Sequence, residues 1–521
     1  MKRRKELGEN VLDLAVIGGG INGCGIARDA AGRGLSVVLV EKGDLSGGTS
    51  SISTKLIHGG LRYLEHYEFG LVRESLQERE ILLAMAPHLV SPLRFVLPHH
   101  RALRPAWMIR LGLFFYDHLG KRRILPPSRF LRLGEDEAGQ PLQKSFTHAF
   151  EYSDCRVDDS RLVVLNALDA ARRGARILVR TELISATREH GHWLLRLHDH
   201  LSDQAYSIKA RTLVNSSGPW IGKVIDKTLG LTSRFHTRLV QGSHIVVPRL
   251  YPHHRAYIFQ NADRRIIFAI PYEGDFTLIG TTDVDFQGSP DHVAITPQEI
   301  SYLCQSANAY FTMRITPQDV VWSFSGVRPL YGTDHTSAQD ITRDYELDIQ
   351  GDKGMPLLVN VFGGKLTTYR HLAEDTLKQL GKRLGPLGDP WTRESHLPGG
   401  NLGAEGVEGL AVRLSAATPS LEISSAKRLA RAYGTQTLEI FRGAKDARDL
   451  GEHFAAGLYQ REVEYLVQSE WARTAEDILW RRSKLGLRIQ PAQVRHLENW
   501  LKLNLPGLLA EAGANKTRAG G

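Results

Sequence analysis

Gly18, Gly20 and Gly23 form a G-x-G-x-x-G at the end of an apolar run, within "LDLAVIGGGINGCGIARDAAGRGLSVVLVEKGD". The chemistry this spacing serves is the grip on the pyrophosphate of a dinucleotide. The first glycine permits a sharp turn, the second lets backbone approach phosphate, and the third lets a helix pack closely on a strand. A helix that starts there offers free N–H groups and the positive end of its dipole to the anion. Gly18, Gly19, Gly20, Ile21, Asn22 and Gly23 are therefore candidate cofactor contacts. Glu41, which closes the next apolar run, is the candidate acceptor for ribose hydroxyls. The motif alone does not separate NAD from FAD.

The elements that must hold this turn are legible around it. "VLDLAVIG" reads as a strand. "INGCGIARDAAGRG" sets Ile21, Cys24, Gly25, Ala27 and Ala31 at helical spacing and ends at Gly32 and Gly34. "LSVVLVE" is almost wholly apolar and β-branched, as a parallel strand covered on both faces should be. The three make a βαβ unit. From about 175 to 350, short β-rich runs separated by turn residues ("GSHIVVP", "RRIIFAIPY", "FTLIGTTD") predict an antiparallel sheet. The fold class is thus α/β plus α+β. "GPLGDPWTRESHLPGGNLG" reads as a linker, and the segments beyond it carry helical periodicity, with "GANKTRAGG" as a frayed tail.

At 521 residues, with 42% hydrophobic and 24% charged residues, the chain has the composition of a soluble protein of two to four domains. No stretch approaches the roughly 20 apolar residues of a membrane span, and "MKRRKELGEN" leads into no signal-like apolar region. Cys24, Cys155 and Cys304 form no CxxC pair, so no metal is expected and a reducing, cytoplasmic setting fits. The net charge of +9 suits an anionic partner or a diffusely basic surface. No nucleic-acid-binding module is visible, so an RNA-binding flavoprotein ranks last among the readings.

Several longer stretches carry a resemblance. "TSSISTKLIHGGLRYLEHYEFGLVRESLQERE", "LRPAWMIRLGLFFYDHLGKR", "EYSDCRVDDSRLV", "NSSGPW", "QGSHIVVP", "GTTDVDF", "WSFSGVRPL", "DITRDY" and "VFGGKLTTYR", together with the glycine turn, make the chain similar to the aerobic, FAD-dependent glycerol 3-phosphate dehydrogenases over nearly its whole length to about residue 400. The C-terminal part resembles that family's helical domain more loosely. The resemblance implies a glycine-oxidase-like fold: a Rossmann-like FAD-binding domain interleaved with an antiparallel-sheet substrate domain, then a helical C-terminal domain. The expected division is 1–390 and 391–521, with FAD-binding parts near 10–90, 150–220 and 350–385 and substrate-binding parts near 91–149 and 221–349. It implies oxidation of sn-glycerol 3-phosphate to dihydroxyacetone phosphate, with electrons passed to a membrane quinone. It also implies a homodimer held peripherally on the cytoplasmic face of the inner membrane. A glycine-oxidase-like amine oxidase is the alternative, distinguished by release of hydrogen peroxide.

Such a reaction needs a hydride acceptor, a base for the C2 hydroxyl and cations for the phosphate. Arginine suits the last, since its planar fork binds two oxygens. Arg62 in "HGGLRYL" and Arg328 in "SGVRPL" match the family's substrate-site positions, with Tyr63, Lys365 and Thr367 behind them. His244 is the first choice of base, because an unperturbed imidazole titrates near neutrality; His58 and Arg328 are the alternatives. Thr49, Ser50 and Ser51 are expected to hold the pyrophosphate. Gly218, Gly363, Gly364, Lys365, Leu366 and Thr367 are expected to approach the cofactor from two later turns. The segment 99–133 is basic, with Trp107, Leu111, Phe114 and Phe115 near one helical face and Arg110 and Lys121 off it. Such a helix can lie on an anionic membrane or be buried beneath the flavin domain.

Overall fold

The computed structural model describes residues 10–518 apart from 101, 102, 121, 234, 236, 262, 264, 332–343, 352 and 353. Lys121 and the first four residues of "DITRDY" therefore lie outside the described residues.

The N-terminal βαβ unit is the heart of the first sheet. β1 (Val11–Ile17) lies between β2 (Val37–Val40) and the strand Gln204–Asn215, parallel to both. Leu357–Gly363 continues the parallel order on one side and Arg176–Leu178 on the other. Tyr345–Gln350 closes one edge in antiparallel fashion. All four residues of β2 are buried, which is why that run has no polar alternation. Helix α1 (Ile21–Gly32) covers one face with the helices Asp159–Arg172 and Tyr369–Leu384. The parallel strands Val11–Ile17, Val37–Val40, Gln204–Asn215 and Leu357–Gly363 all end toward one cavity, as ligand sites on open α/β sheets do.

The second sheet has ten strands. Near one edge of it, Thr237–Pro248 runs antiparallel to Phe276–Gly280 and Trp322–Tyr331. The chain passes between sheets at slightly different places from those read in the sequence. His148–Val157 pairs within the second sheet, and Tyr345–Gln350 belongs to the first.

The C-terminal region packs the helices Gly406–Ala417, Ile423–Tyr433, Gln460–Ser469 and Pro491–Arg518 around its own apolar core. The last helix runs to Arg518, into the stretch read as a frayed tail. The linker is docked rather than loose: Trp391 Nε1 donates to the Asp29 carbonyl at 3.2 Å, and the Arg173 guanidinium sits 3.8 Å from the Trp391 ring centroid.

Candidate active site

One cavity of about 1110 Å³ runs between the two sheets. At one end it is walled by the glycine turn. Gly18 takes φ +108°, and its N–H donates to the Val40 carbonyl at 2.9 Å, which seats the turn on the end of β2. Gly19 N–H donates to Glu41 Oε2 at 2.6 Å and Gly43 N–H to Oε1 at 2.7 Å. Burial pushes the Glu41 carboxyl up from its ordinary range while these two N–H groups pull it down. Each carboxylate oxygen retains a second lone pair for a ribose hydroxyl. Gly18, Gly20, Ile21 and Asn22 are wall residues; Gly19 and Gly23 stand behind them.

The three hydroxyls expected at the pyrophosphate each bond within the protein, while Thr49 and Ser50 also line the cavity. Ser50 Oγ accepts from the Ile21 N–H at 3.0 Å, satisfying one of the donors a helix start leaves over. Thr49 Oγ1 donates to the Val327 carbonyl at 2.7 Å, tying this loop to the second sheet, and Ser51 Oγ donates to Gly48. Ser51 is not a wall residue. The later turns do arrive: Gly218, Gly363, Gly364, Lys365, Leu366 and Thr367 all line the cavity, and the three glycines have positive φ. Asn22 Nδ2 donates to the Gly363 carbonyl at 3.2 Å, while its Oδ1 is buried without a partner among the described residues.

The second sheet supplies the facing wall. Val240 pairs with Arg328, Gly242 with Gly326 and His244 with Phe324. Residues directly opposite in an antiparallel pair share a face, so Arg328 and His244 project from the same side, about 13 Å apart along the strand. Between them Gly242 and Gly326 form a glycine floor on which the Ile52 side chain and the Arg328 guanidinium pack closely. A Cβ on Gly326 would fall 1.4 Å from Ile52 Cδ1, and one on Gly242 2.6 Å from Arg328 Nη2. Sequence reasoning missed this floor, although glycine inside two apolar strands is a signal of close approach.

His244 is 2% exposed and stacks on Phe324 with ring centroids 4.8 Å apart. Its Nε2 lies 3.0 Å from Thr54 Oγ1, and its Nδ1 is buried without a partner among the described residues. Burial, then the nearby Lys55 and Arg328 cations, push the imidazole down to about 3. The near-neutral titration expected from the bare residue type is thus displaced, because a charged ring here would lose its water. Arg328 is paired with Asp283 and donates to the Thr282 carbonyl at 3.1 Å. Asp283 lies in the "GTTDVDF" stretch and was not singled out.

Arg62 does not join Arg328 on the wall. It sits half-buried on the turn Leu61–His66, next to the wall residue Tyr63. The cation that does reach the wall there is Lys365, whose Nζ lies 4.1 Å from the Tyr63 ring centroid. His58 is a wall residue, and its N–H donates to Thr367 Oγ1 at 3.3 Å, so Thr367 holds the His58 backbone. Tyr116, also unforeseen, accepts from the Gly59 N–H at 2.8 Å and donates to Asp154 at 2.7 Å, fixing the same segment from below.

A dinucleotide cradle facing a glycine-floored antiparallel sheet defines a flavin-dependent oxidoreductase. Residues 13–364 match the FAD dependent oxidoreductase family, and residues 391–503 match the C-terminal domain of alpha-glycerophosphate oxidase. The chain is 54% identical over 496 residues to glycerol-3-phosphate dehydrogenase of Pseudomonas aeruginosa, covering 95% of this chain and 96% of that protein. It is 49% identical over 488 residues to D-erythritol 1-phosphate dehydrogenase of Brucella abortus, covering 94% and 97%. The crystal structure of glycerol-3-phosphate dehydrogenase from Bacillus halodurans complexed with FAD is similar with a TM-score of 0.77 at 28% identity, covering 99% of this chain and 96% of that one. The chain belongs to the FAD-dependent glycerol-3-phosphate dehydrogenase family, and its cofactor is FAD. The residues present fit that cofactor: Glu41 for the ribose, the turn at Gly18–Gly20 for the pyrophosphate, and the buried Asn22 Oδ1 and glycine floor toward the ring.

Proposed function

We propose that this protein oxidises the C2 hydroxyl of sn-glycerol 3-phosphate to give dihydroxyacetone phosphate, with the electrons handed on to a membrane quinone. FAD, when bound, supplies the two-electron acceptor. The observation that carries the reading is the placement of Arg328 and His244 on one face of the second sheet with Gly242 and Gly326 between them. Arg328 holds the phosphate, helped by Lys365; its five donors allow it to keep Asp283 as well. Asp283 orients the guanidinium, and Tyr63 packs beneath Lys365. Arg62 contributes positive charge from behind this wall. His244 takes the hydroxyl proton, and Thr54 orients the ring; His58 is the alternative base.

The deciding experiment is an anaerobic titration with sn-glycerol 3-phosphate, following flavin absorbance near roughly 450 nm. Bleaching at low substrate with no response to glycine supports the reading; a response to amino acids with peroxide release overturns it. The Brucella relative favours a second reading, a four-carbon polyol phosphate, because its identity nearly equals that of the three-carbon enzyme. Bleaching by D-erythritol 1-phosphate at lower concentration than by glycerol 3-phosphate would establish it.

The depressed imidazole sets a pH expectation. kcat/KM reports the free enzyme. With His244 pushed down to about 3, it stays neutral through the neutral range, and the acid limb it causes lies well below pH 6. Phosphate bound at Arg328 offsets one of the lowering cations and moves the group upward in the complex. Any limb near pH 6 belongs to the substrate's own second phosphate ionisation, about 6. His244→Ala is therefore expected to lower the rate across the neutral range while that limb persists. A limb near pH 6 that vanishes in His244→Ala would show the opposite assignment.

The membrane part of the reading is supported by the helix Ala106–His118. Leu113, Tyr116 and Asp117 face inward, while Trp107 is 65% and Phe114 54% exposed beside Tyr67 at 81%. Phe69 and Phe115 join this patch at 6.2 Å, and Arg104, Arg110 and Arg123, close to it in sequence, are exposed. Among the described residues no helix is long and apolar enough to cross a membrane. We assign this face to peripheral docking on the anionic, cytoplasmic leaflet, in a homodimer, with the domain division near residue 390. Trp107→Asp with Phe114→Asp is expected to abolish sedimentation with phosphatidylglycerol vesicles and leave soluble turnover intact; unchanged sedimentation would place the docking face elsewhere.

A further inference from the structure

The helical C-terminal region reaches the dinucleotide cradle through one carboxylate. Asp44 lies in the loop that follows Glu41, and its side chain is 1% exposed. It accepts from Arg481 Nε at 2.6 Å and from Arg482 Nη1 and Nη2, each at 2.8 Å. Both arginines are fixed on their own side. Arg482 Nη2 also donates to the Glu470 carbonyl at 2.8 Å, and Arg481 is paired with Asp477 and Glu476. Asp477 takes Arg180, a wall residue two positions after Leu178, whose carbonyl accepts from the Glu41 N–H at 2.8 Å.

On its other side the Asp44 loop closes directly on the glycine turn. Ser46 N–H donates to the Gly19 carbonyl at 2.9 Å, and Leu45, fully buried, lies where a Cβ on Gly19 would meet Leu45 Cδ2 at 2.9 Å. Four residues farther along, Ser50 holds the Ile21 N–H. The guanidinium groups of residues 481 and 482 therefore fix the loop that fixes the turn, across more than four hundred positions of sequence. The cavity wall itself includes Arg473, Thr474, Glu476 and Arg481 from the C-terminal region.

We propose that Asp44, clamped by Arg481 and Arg482, is a positioning residue for FAD, so that the C-terminal helical region keeps the cradle closed on the cofactor. A buried carboxylate held by two guanidinium groups is stiff, and removing its charge leaves Arg482 with only the Glu470 carboxylate at 3.8 Å and Arg481 with only Asp477 and Glu476, on the C-terminal side. The loop then loses its outer anchor and the Gly19 carbonyl its support.

The test measures the FAD dissociation constant of reconstituted apoprotein by flavin fluorescence, together with the Tm of the apoprotein. Asp44→Asn is expected to weaken FAD by at least about tenfold, with turnover recovering as FAD is raised. Glu462→Gln is the control. Glu462 is equally buried and is held by Arg428 and the Tyr433 hydroxyl, wholly within the C-terminal core. It should lower Tm and leave FAD affinity within about twofold. Equal FAD affinity in Asp44→Asn and the parent overturns the proposal, as does equal weakening by both variants. Should Asp44→Asn fail to fold, Arg481→Gln keeps the Arg482 bonds and carries the same measurement. There, about a threefold or greater rise in the FAD dissociation constant supports the clamp, and a smaller change overturns it.

Discussion

Gly23→Ala is expected to give a colourless protein. A Cβ at this position would fall 2.0 Å from the Gly18 carbonyl oxygen and 2.6 Å from Ser216 Oγ. Neither neighbour can retreat cheaply. Gly18 is pinned by its N–H to Val40, and Ser216 by its N–H to the Ile17 carbonyl at 2.9 Å and its hydroxyl to the same oxygen at 3.0 Å. Ordinary contact needs more than 3 Å, so the start of α1 must move by over about 1 Å, away from the strand end that sets the anion site. Gly20, Ile21 and Asn22 move with it, and they are wall residues. Flavin content, measured as the ratio of visible to ultraviolet absorbance, should fall to about a tenth or less of the parent's while circular dichroism shows the fold retained. A yellow Gly23→Ala protein with full occupancy would remove the turn from the cofactor site.

Arg328→Ala is expected to lower kcat/KM for glycerol 3-phosphate by roughly 10²–10³-fold with flavin content unchanged. The guanidinium is placed on the same face of the second sheet as His244, and Asp283 holds it in position. Its removal takes away a charge-assisted, two-point grip on the phosphate and leaves the Asp283 carboxylate facing the incoming anion, so loss of attraction and new repulsion add. Arg328→Lys restores the charge but not the fork, and should recover part of the loss, mostly in KM. Steady-state kinetics with a quinone analogue check this. Wild-type kinetics in Arg328→Ala would move phosphate binding to Lys365 and Arg62.

The glycine turn was legible because everything it needs is local. Pyrophosphate is gripped by consecutive backbone groups at a strand end, and the residues that permit the grip, Gly18 through Gly23, stand within six positions of one another. The β-rich middle and helical end were legible for the same reason: periodicity of two or of 3.6 is written in neighbouring residues. The hydroxyls of Thr49, Ser50 and Ser51 were legible as small polar groups near the turn. Their direction was not, since an oxygen bonds to whatever donor folding brings closest, and for Ser50 that donor is Ile21.

By itself, the sequence determined the class of the protein: a dinucleotide-binding βαβ unit, a strand-rich partner and a motif set shared with one family of flavin dehydrogenases. The tertiary structure alone decided which of the expected substrate-site cations line the cavity, Arg328 and Lys365 rather than Arg62, and laid Gly242 against Gly326 as a floor. It alone pushed His244 far below neutral titration and set Asp44 between Arg481 and Arg482. The physical reason is common to all of these. Strand register, burial and ion pairing couple residues that lie from tens to hundreds of positions apart, and no local pattern encodes which distant group will arrive.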